Sequence, residues 1–533
     1  MDTNETGAAF HRSNLEEYER ADDTRPPFIL TSTEAKLLGI AGVGFFLDAY
    51  DLFIINPVST MLQFRLYGGS ALPSGLSGFM KAGANIGSVI GQFGFGYCAD
   101  RFGRKAIYGK ELMLIILATI LVIACPTGDL SPDSSLIWIA CFRILLGVGV
   151  GGDYPMSASV TSDRSNLRKR GTMLSYIFSA QGWGSLVGSL VVLVVLACYK
   201  HVMLVDGETS KVDGVWRICM AVSLIPAFGT LYQRLTLPES TRYIKSQQSP
   251  TTAAPSNEEE SFDEKHPSGE LAKKSPRSSG ELAKKVEEPA PVTAVAGVPV
   301  GHRSHFQDFC RYFSEWRHAK ILIGTCSCWF LLDIAFYGIN LNQNVVLQQI
   351  GFAGKSGAPW TRLWDIAIGN IIITALGFVP GYYATVLTIE KLGRKWIQIQ
   401  GFLLAALFLG IMAGRFNELS TAGFVVCFAF LQFFFNFGAN ATTYIYPAEV
   451  FPTRYRATAH GISAACGKAG AIISALGFSA LTDSVGTPAV LYIFMGVCFA
   501  GAICTLLLPE TKGYDPDVIL AEEQREERER VRS

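Results

Sequence analysis

Long apolar stretches recur along this chain and constrain its fold more than any other feature. Crossing ~30 Å of hydrocarbon takes about twenty predominantly apolar residues in a helix. Stretches of that kind are read at 36–62, 77–98, 107–125, 134–158, 171–198 and 215–236. A second set follows at 319–348, 361–389, 394–414, 420–446, 457–480 and 487–508. Several exceed the required length, which implies tilt or extension beyond the bilayer. The expected class is therefore an all-α membrane protein with twelve transmembrane helices.

Composition agrees. Of 533 residues only 17% are charged, against about a quarter in soluble domains. A formal net charge of zero argues against a nucleic-acid partner. The 53 glycines follow no collagen-like period and suit close helix packing in lipid. The 12 cysteines sit mostly within apolar runs and show no metal-ligand spacing, so no metal, cofactor or disulfide framework is expected. Cys326 and Cys328 should face different sides of a helix. The first thirty residues lack the basic-then-apolar order of a cleavable signal peptide.

Short connections rich in Lys and Arg set the expected orientation. They contain Arg101, Arg104 and Lys105; Arg164, Arg168, Lys169 and Arg170; Lys391, Arg394 and Lys395; and Arg454 and Arg456. The intervening connections 126–134 and 482–488 have none. Both termini are thus expected on the cytoplasmic side of the plasma membrane.

Five segments are expected: an N-terminal segment at 1–35, a six-helix half at 36–245, a linker at 246–304, a second half at 305–513 and a charged tail at 514–533. The linker is rich in Pro, Ser, Glu, Lys and Ala and repeats the string SGELAKK at Ser268–Lys274 and Ser279–Lys285. Such a segment buries too little apolar surface to offset its ordering entropy. Ser249 and Ser275 precede prolines, so linker and tail offer surface to regulatory kinases or ubiquitin machinery; an unmodified linker is the plainer alternative. The tail, alternating acid and base at 521–532, reads as a solvated or fraying helix.

The halves echo each other. Gly96-Tyr-Cys-Ala-Asp-Arg-Phe-Gly-Arg-Lys105 has a counterpart in Glu390-Lys-Leu-Gly-Arg-Lys395, and Pro238-Glu-Ser-Thr-Arg242 in Pro509-Glu-Thr-Lys-Gly513. These loops and the six-plus-six layout resemble the major facilitator superfamily over nearly the whole chain outside the linker. The resemblance implies two halves rocking around one site near mid-membrane.

Ionisable groups at bilayer depth cost several kcal/mol on insertion scales, which makes the few present the functional candidates. Asp48 and Asp51, three apart in the first span, share a helix face. Close carboxylates resist joint ionisation, so they suit a proton carrier; a structural ion pair is the alternative. The fourth span carries Arg143 and Asp153, and its glycines 147, 149, 151 and 152 permit close approach to a neighbour or a ligand. Resemblance to proton-coupled sugar carriers of the superfamily pairs Arg143 with Asp51. Gln181 in the fifth span offers both amide donors and an acceptor.

Trp329, Asp333 and Tyr337, spaced by four, form one stripe of the seventh span. Asn440 lies in the tenth span, where burial should keep Asn440-Ala-Thr442 unglycosylated. Lys468 lies deep in the eleventh, where it must pair with an acid or attract an anion. No HExxH, GxSxG or P-loop motif suggests an enzyme.

Gly151-Gly-Asp-Tyr-Pro-Met-Ser-Ala-Ser159 resembles the GGDYPLSA signature of phosphate:proton symporters, with Met156 replacing the usual leucine. Taken with the Trp-Asp-Tyr stripe, Asn440 and Lys468, the chain is similar to fungal high-affinity phosphate importers. By that resemblance Tyr154, Gln181, Trp329, Asp333, Tyr337 and Asn440 contact phosphate, and Lys468 balances charge. Asp48, Asp51 and Asp153, with Arg143, lie on the proton path. Carriers of sugars or phosphodiesters, and a nutrient receptor signalling through linker and tail, are the rivals.

Overall fold

The computed structural model describes residues 26–237, 305–349, 351–352 and 357–532. The linker expected at 246–304, the phrase at 238–242 and most of the segment 1–35 lie outside the described residues. Every backbone N–H and C=O in hydrocarbon needs a partner within the chain, and the apolar stretches meet this as helices; no strand occurs among the described residues.

Among the described residues eleven helices are long and apolar enough to cross a membrane: α1 (Glu34–Tyr67), α3 (Arg104–Ile123), α4 (Pro132–Arg164), α5 (Leu167–Cys198), α6 (Thr209–Leu235), α7 (Trp316–Asn340), α8 (Pro359–Leu392), α9 (Arg394–Gly414), α10 (Thr421–Val450), α11 (Arg456–Val485) and α12 (Thr487–Leu507). The remaining span, α2 (Ser74–Phe102), is 29 residues long but less apolar, because Lys81, Asn85, Gln92 and several glycines interrupt it. Those polar groups are buried against other helices instead of facing lipid.

Glycine explains how α2 packs. A Cβ at Gly87 would stand 1.8 Å from the Ile144 carbonyl oxygen of α4, and one at Gly147 would stand 2.0 Å from that of Ala84. Gly91 and Gly151 repeat the pattern a turn further on, at 2.1 Å from Val148 O and 2.3 Å from Ser88 O. The fourth-span glycines therefore serve helix contact, the first of the two uses their spacing allowed. A similar contact joins the halves, since a Cβ at Gly461 of α11 would lie 2.2 Å from Gln92 O of α2.

Breaks in the helices are satisfied locally. Within α10 the helix is interrupted at Phe437 and Gly438. The carbonyl of Asn436 accepts the Thr385 hydroxyl at 2.8 Å, and that of Phe437 accepts from the Gln400 amide. Such compensation lets an irregular backbone persist at bilayer depth.

Side-chain bonds tie the halves together at both ends. At the end carrying the basic loops, Arg104 pairs with Asp163 at 3.2 Å and donates to Thr453 O at 3.1 Å, while Asp163 also pairs with Arg456. Asp100 accepts from the Thr458 N–H at 2.7 Å and its hydroxyl at 2.8 Å. Arg394 holds Glu390 at 2.8 Å and Glu449 at 2.6 Å, and Glu390 in turn accepts from the Thr172 N–H at 3.0 Å. The Pro509-Glu510 phrase has a structural use: Glu510 accepts the first backbone N–H groups of α9, Arg394 at 2.9 Å and Lys395 at 3.0 Å.

At the opposite end Asn56 donates to Asn340 O at 2.6 Å. Lys81 donates to Asn342 at 2.9 Å, and Trp360 to Leu196 O at 2.7 Å.

The tail is helical and largely exposed over 521–526, as expected, but it is anchored at its start. Residues Pro516–Arg532 form a helix, α13, but its first turns are docked. Asp517 accepts from the Thr453 N–H at 2.7 Å and hydroxyl at 2.6 Å and lies 3.8 Å from Arg456. Glu523 lies 3.1 Å from Arg317. Opposite charges on the body of the molecule hold α13 down, which alternation of charge along the tail did not reveal.

Candidate functional site

Lys468 organises the centre of the molecule. It is 1% exposed, and its ammonium donates to Asp333 Oδ2 at 3.1 Å and to Tyr337 Oη at 2.7 Å. The α7 stripe thus forms as its spacing predicts, with the α11 cation facing two of its members. Trp329 completes it, lying so close to Gly467 that a Cβ there would come within 2.4 Å of the indole.

The first half supplies the other wall. Tyr154 of α4 lies with its ring 5.2 Å from the Lys468 ammonium and 6.2 Å from the Trp329 ring. Gln181 of α5 donates to the Tyr154 hydroxyl at 2.8 Å and accepts the Tyr382 hydroxyl at 3.2 Å. Asn440 of α10 donates to that same Tyr382 oxygen at 2.8 Å. Tyr154, Gln181, Trp329, Asp333, Tyr337, Asn440 and Lys468 therefore join into one continuous polar and aromatic group drawn from both halves. All are at most 5% exposed.

Tyr382, which links Gln181 to Asn440, escaped the sequence reading. It sits in the apolar run of α8, just after the π-helical turn Thr374–Phe378 and Pro380. Proline has no N–H to continue the ladder and disturbs the preceding turn, and this irregularity was the available signal.

The four residues read as a proton path lie within electrostatic reach of one another in series, Asp48 with both Asp51 and Asp153, and Asp51 with Arg143. Arg143 donates to the main-chain oxygens of Asp51 at 3.0 Å and Met80 at 3.2 Å. The guanidinium thus bonds the Asp51 carbonyl directly, while the Asp51 carboxylate stays within its electrostatic reach. Asp153 is engaged elsewhere. Arg234 of α6 forks onto its two oxygens at 3.0 and 3.1 Å and also reaches Glu111 of α3 at 3.2 Å. All three side chains are fully buried.

Room for that fork comes from Gly44, where a Cβ would stand 1.8 Å from the Arg234 nitrogen. Glu111 and Arg234 were passed over because they lie near the ends of their apolar runs. Neither the Asp48 nor the Asp51 carboxylate makes an ordinary hydrogen bond among the described residues, although both are fully buried; Ser223 and Arg143 are close enough to act on Asp51. Such groups are costly unless they hold a proton or meet a transient partner.

A cage of this composition suits a small polyoxyanion that carries hydrogen. An ammonium, two phenols, an indole and two amides supply donors, and Asp333 supplies an acceptor.

Comparison with known proteins accords with this layout. Residues 37–519 match the family model described as sugar (and other) transporter. A Schizosaccharomyces pombe chain provisionally named an inorganic phosphate transporter is 46% identical over 94% of this chain and 90% of its own length. The repressible high-affinity phosphate permease of Neurospora crassa is 38% identical over 92% of this chain and 87% of the permease. Among solved structures, the proton:xylose symporter XylE of the major facilitator superfamily superposes with a TM-score of 0.66 at 19% identity. The overlap covers 92% of this chain and 99% of that one, a likeness of fold alone. By that family match and its relatives, the chain, with the fold seen in the major facilitator superfamily, belongs to the sugar (and other) transporter family and is a membrane transporter, not an enzyme.

Proposed function

We propose that this chain imports inorganic phosphate together with protons by alternating access, in the plasma membrane with both termini inside. The observation that carries the reading is the Lys468–Asp333–Tyr337 group facing Tyr154, Gln181, Trp329 and Asn440 across the two halves. The names borne by its relatives point the same way.

Chemistry favours phosphate over other anions in such a cage. Near neutral pH phosphate retains one or two protons, so it donates to Asp333 even while that carboxylate is ionised, and it binds more tightly once a proton arrives there. Sulfate has none to give and meets repulsion at the same oxygen. Lys468 neutralises Asp333 before the anion arrives, and a proton delivered to Asp333 releases the ammonium to the substrate. Binding of anion and proton are then linked. Asp48 and Asp51, fully buried carboxylates that make no ordinary hydrogen bond among the described residues, are the proposed proton carriers. Asp153 and Arg143 hold the helices around them.

Coupling to more than one proton has a physical reason. Moving a negative charge inward against the membrane potential costs about 2.3 kcal/mol per 100 mV. Bonds at both ends of the bundle mean that each half-cycle must break one set while the other holds.

Radiolabelled phosphate uptake into proteoliposomes tests the proposal. Uptake should rise with an inward proton gradient and collapse with a protonophore. Uptake undiminished after the gradient is abolished would remove proton coupling, and failure of phosphate to accumulate under any gradient would remove the substrate assignment.

A further inference from the structure

A cavity of about 360 Å³ lies away from the central cage, at the end carrying the basic loops. The ends of α7, α10 and α12 form it, with α13 as its outer wall. Its size falls within the range of small-molecule sites, roughly 300–1,000 Å³. Arg317, His318 and Lys320, all in the first turns of α7, line one side. Leu506 and Leu507 of α12 line another and are 63% and 43% exposed, which in a membrane-spanning helix means facing lipid.

Trp316, 71% exposed beside these cations, marks the depth as interfacial, where tryptophans of membrane proteins collect. A basic floor at headgroup level joined to an apolar wall at acyl-chain level has the chemistry of a receptor for an anionic amphiphile.

Glu523 of α13 already supplies a negative group in this cavity. It reaches Arg317 at 3.1 Å and His318 at 3.5 Å. Among the described residues no carboxylate pairs with Lys320, which leaves one cation for an incoming charge.

We propose that this cavity seats the phosphate headgroup of an anionic phospholipid, with its acyl chains along Leu506 and Leu507. The headgroup binds Lys320 and competes with Glu523 for Arg317. An arriving lipid thereby loosens α13, which also holds Thr453 and Arg456 through Asp517, in the bond network closing the basic end. The lipid acts as a regulator of that closure, independently of what the central cage carries.

Native mass spectrometry of the purified full chain, with phosphatidylglycerol or phosphatidylcholine added in turn, tests the assignment. The wild type should retain one phosphatidylglycerol and no comparable phosphatidylcholine. Each basic side chain near an anionic headgroup contributes roughly fivefold, so the double variant Arg317→Gln, Lys320→Gln should bind roughly thirtyfold more weakly. Glu523→Gln removes the α13 competitor, leaving Glu315 on Arg317 at 2.8 Å as in the wild type, and should bind more tightly than wild type, a gain that misfolding cannot mimic. Equal retention by wild type and double variant overturns the site. Displacement of the lipid by an equal concentration of glycerol phosphate overturns the lipid assignment in favour of a soluble phosphate ester. Unchanged affinity in Glu523→Gln overturns the competition with α13.

Discussion

Replacing Lys468 by glutamine tests both substrate binding and its coupling to protons. The ammonium has three donors, of which Asp333 and Tyr337 engage two, leaving one for a ligand. A hydrogen bond from a charged group contributes about 1.5–3 kcal/mol. At about 1.4 kcal/mol per tenfold, Lys468→Gln should raise the phosphate Kd by roughly ten- to 150-fold.

A second effect concerns pH. In the wild type Asp333 and phosphate compete for one cation, so protonating Asp333 strengthens anion binding. Without the ammonium that competition is gone, and the pH dependence of Kd should flatten toward that of phosphate's own ionisation. The variant also leaves a buried carboxylate without its cation, which costs about 3–5 kcal/mol if the charge persists. Adding Asp333→Asn should recover stability, making the double variant more robust than Lys468→Gln alone. Calorimetric titration of phosphate over a pH series, with thermal unfolding of all four proteins of the cycle, reads both effects. Parallel Kd curves, offset but equal in slope, would refute the coupling role, and additive stability losses would refute the pairing.

Other consequences are equally direct. Arg234→Lys cannot fork onto Asp153 and still reach Glu111, so it should destabilise the fold by about 3–5 kcal/mol, seen as early thermal unfolding without a change in substrate preference. Gly87→Leu places a side chain on the Ile144 carbonyl and should cost more than about 3 kcal/mol, abolishing monodisperse protein on size exclusion; Gly94→Ala, with nothing within 4 Å of its Cβ, should be silent. Burial raises the Asp517 carboxyl, but Arg456 and the two Thr453 donors outweigh it and hold it below its ordinary value. Its docking contribution is therefore complete above pH ~4 and lost as pH falls through the depressed value. A spin label on α13 should accordingly report no release by Asp517 between pH 5 and 8. Deleting residues 250–300 should leave transport intact, because that composition lends little to a packed core; loss of uptake in correctly inserted protein would contradict this.

Much of this molecule was legible without coordinates. Apolar stretch length gave eleven of the spans outright, since hydrocarbon leaves the backbone few alternatives, and the less apolar α2 followed as the twelfth. The four-residue spacing of Trp329, Asp333 and Tyr337 placed them on one face, because helical periodicity is local. Lys468 was legible as a cation needing an anion, since burial of charge is costly wherever it occurs.

Partner choice was decided only by the tertiary structure. Nothing local told Asp153 to bind Arg234, 81 residues away, or told Arg143 to donate to the main-chain oxygens of Asp51 and Met80. Those outcomes depend on how closely helices approach, which glycines such as Gly44, Gly87 and Gly147 set. Tyr382 became a bridge between Gln181 and Asn440 only when α5, α8 and α10 met. The docking of α13 likewise required Thr453 and Arg456 to be brought to it. Periodicity and burial cost act along a single helix and can be read from one. Pairing between helices depends on the relative placement of surfaces far apart in the chain, and only packing fixes it.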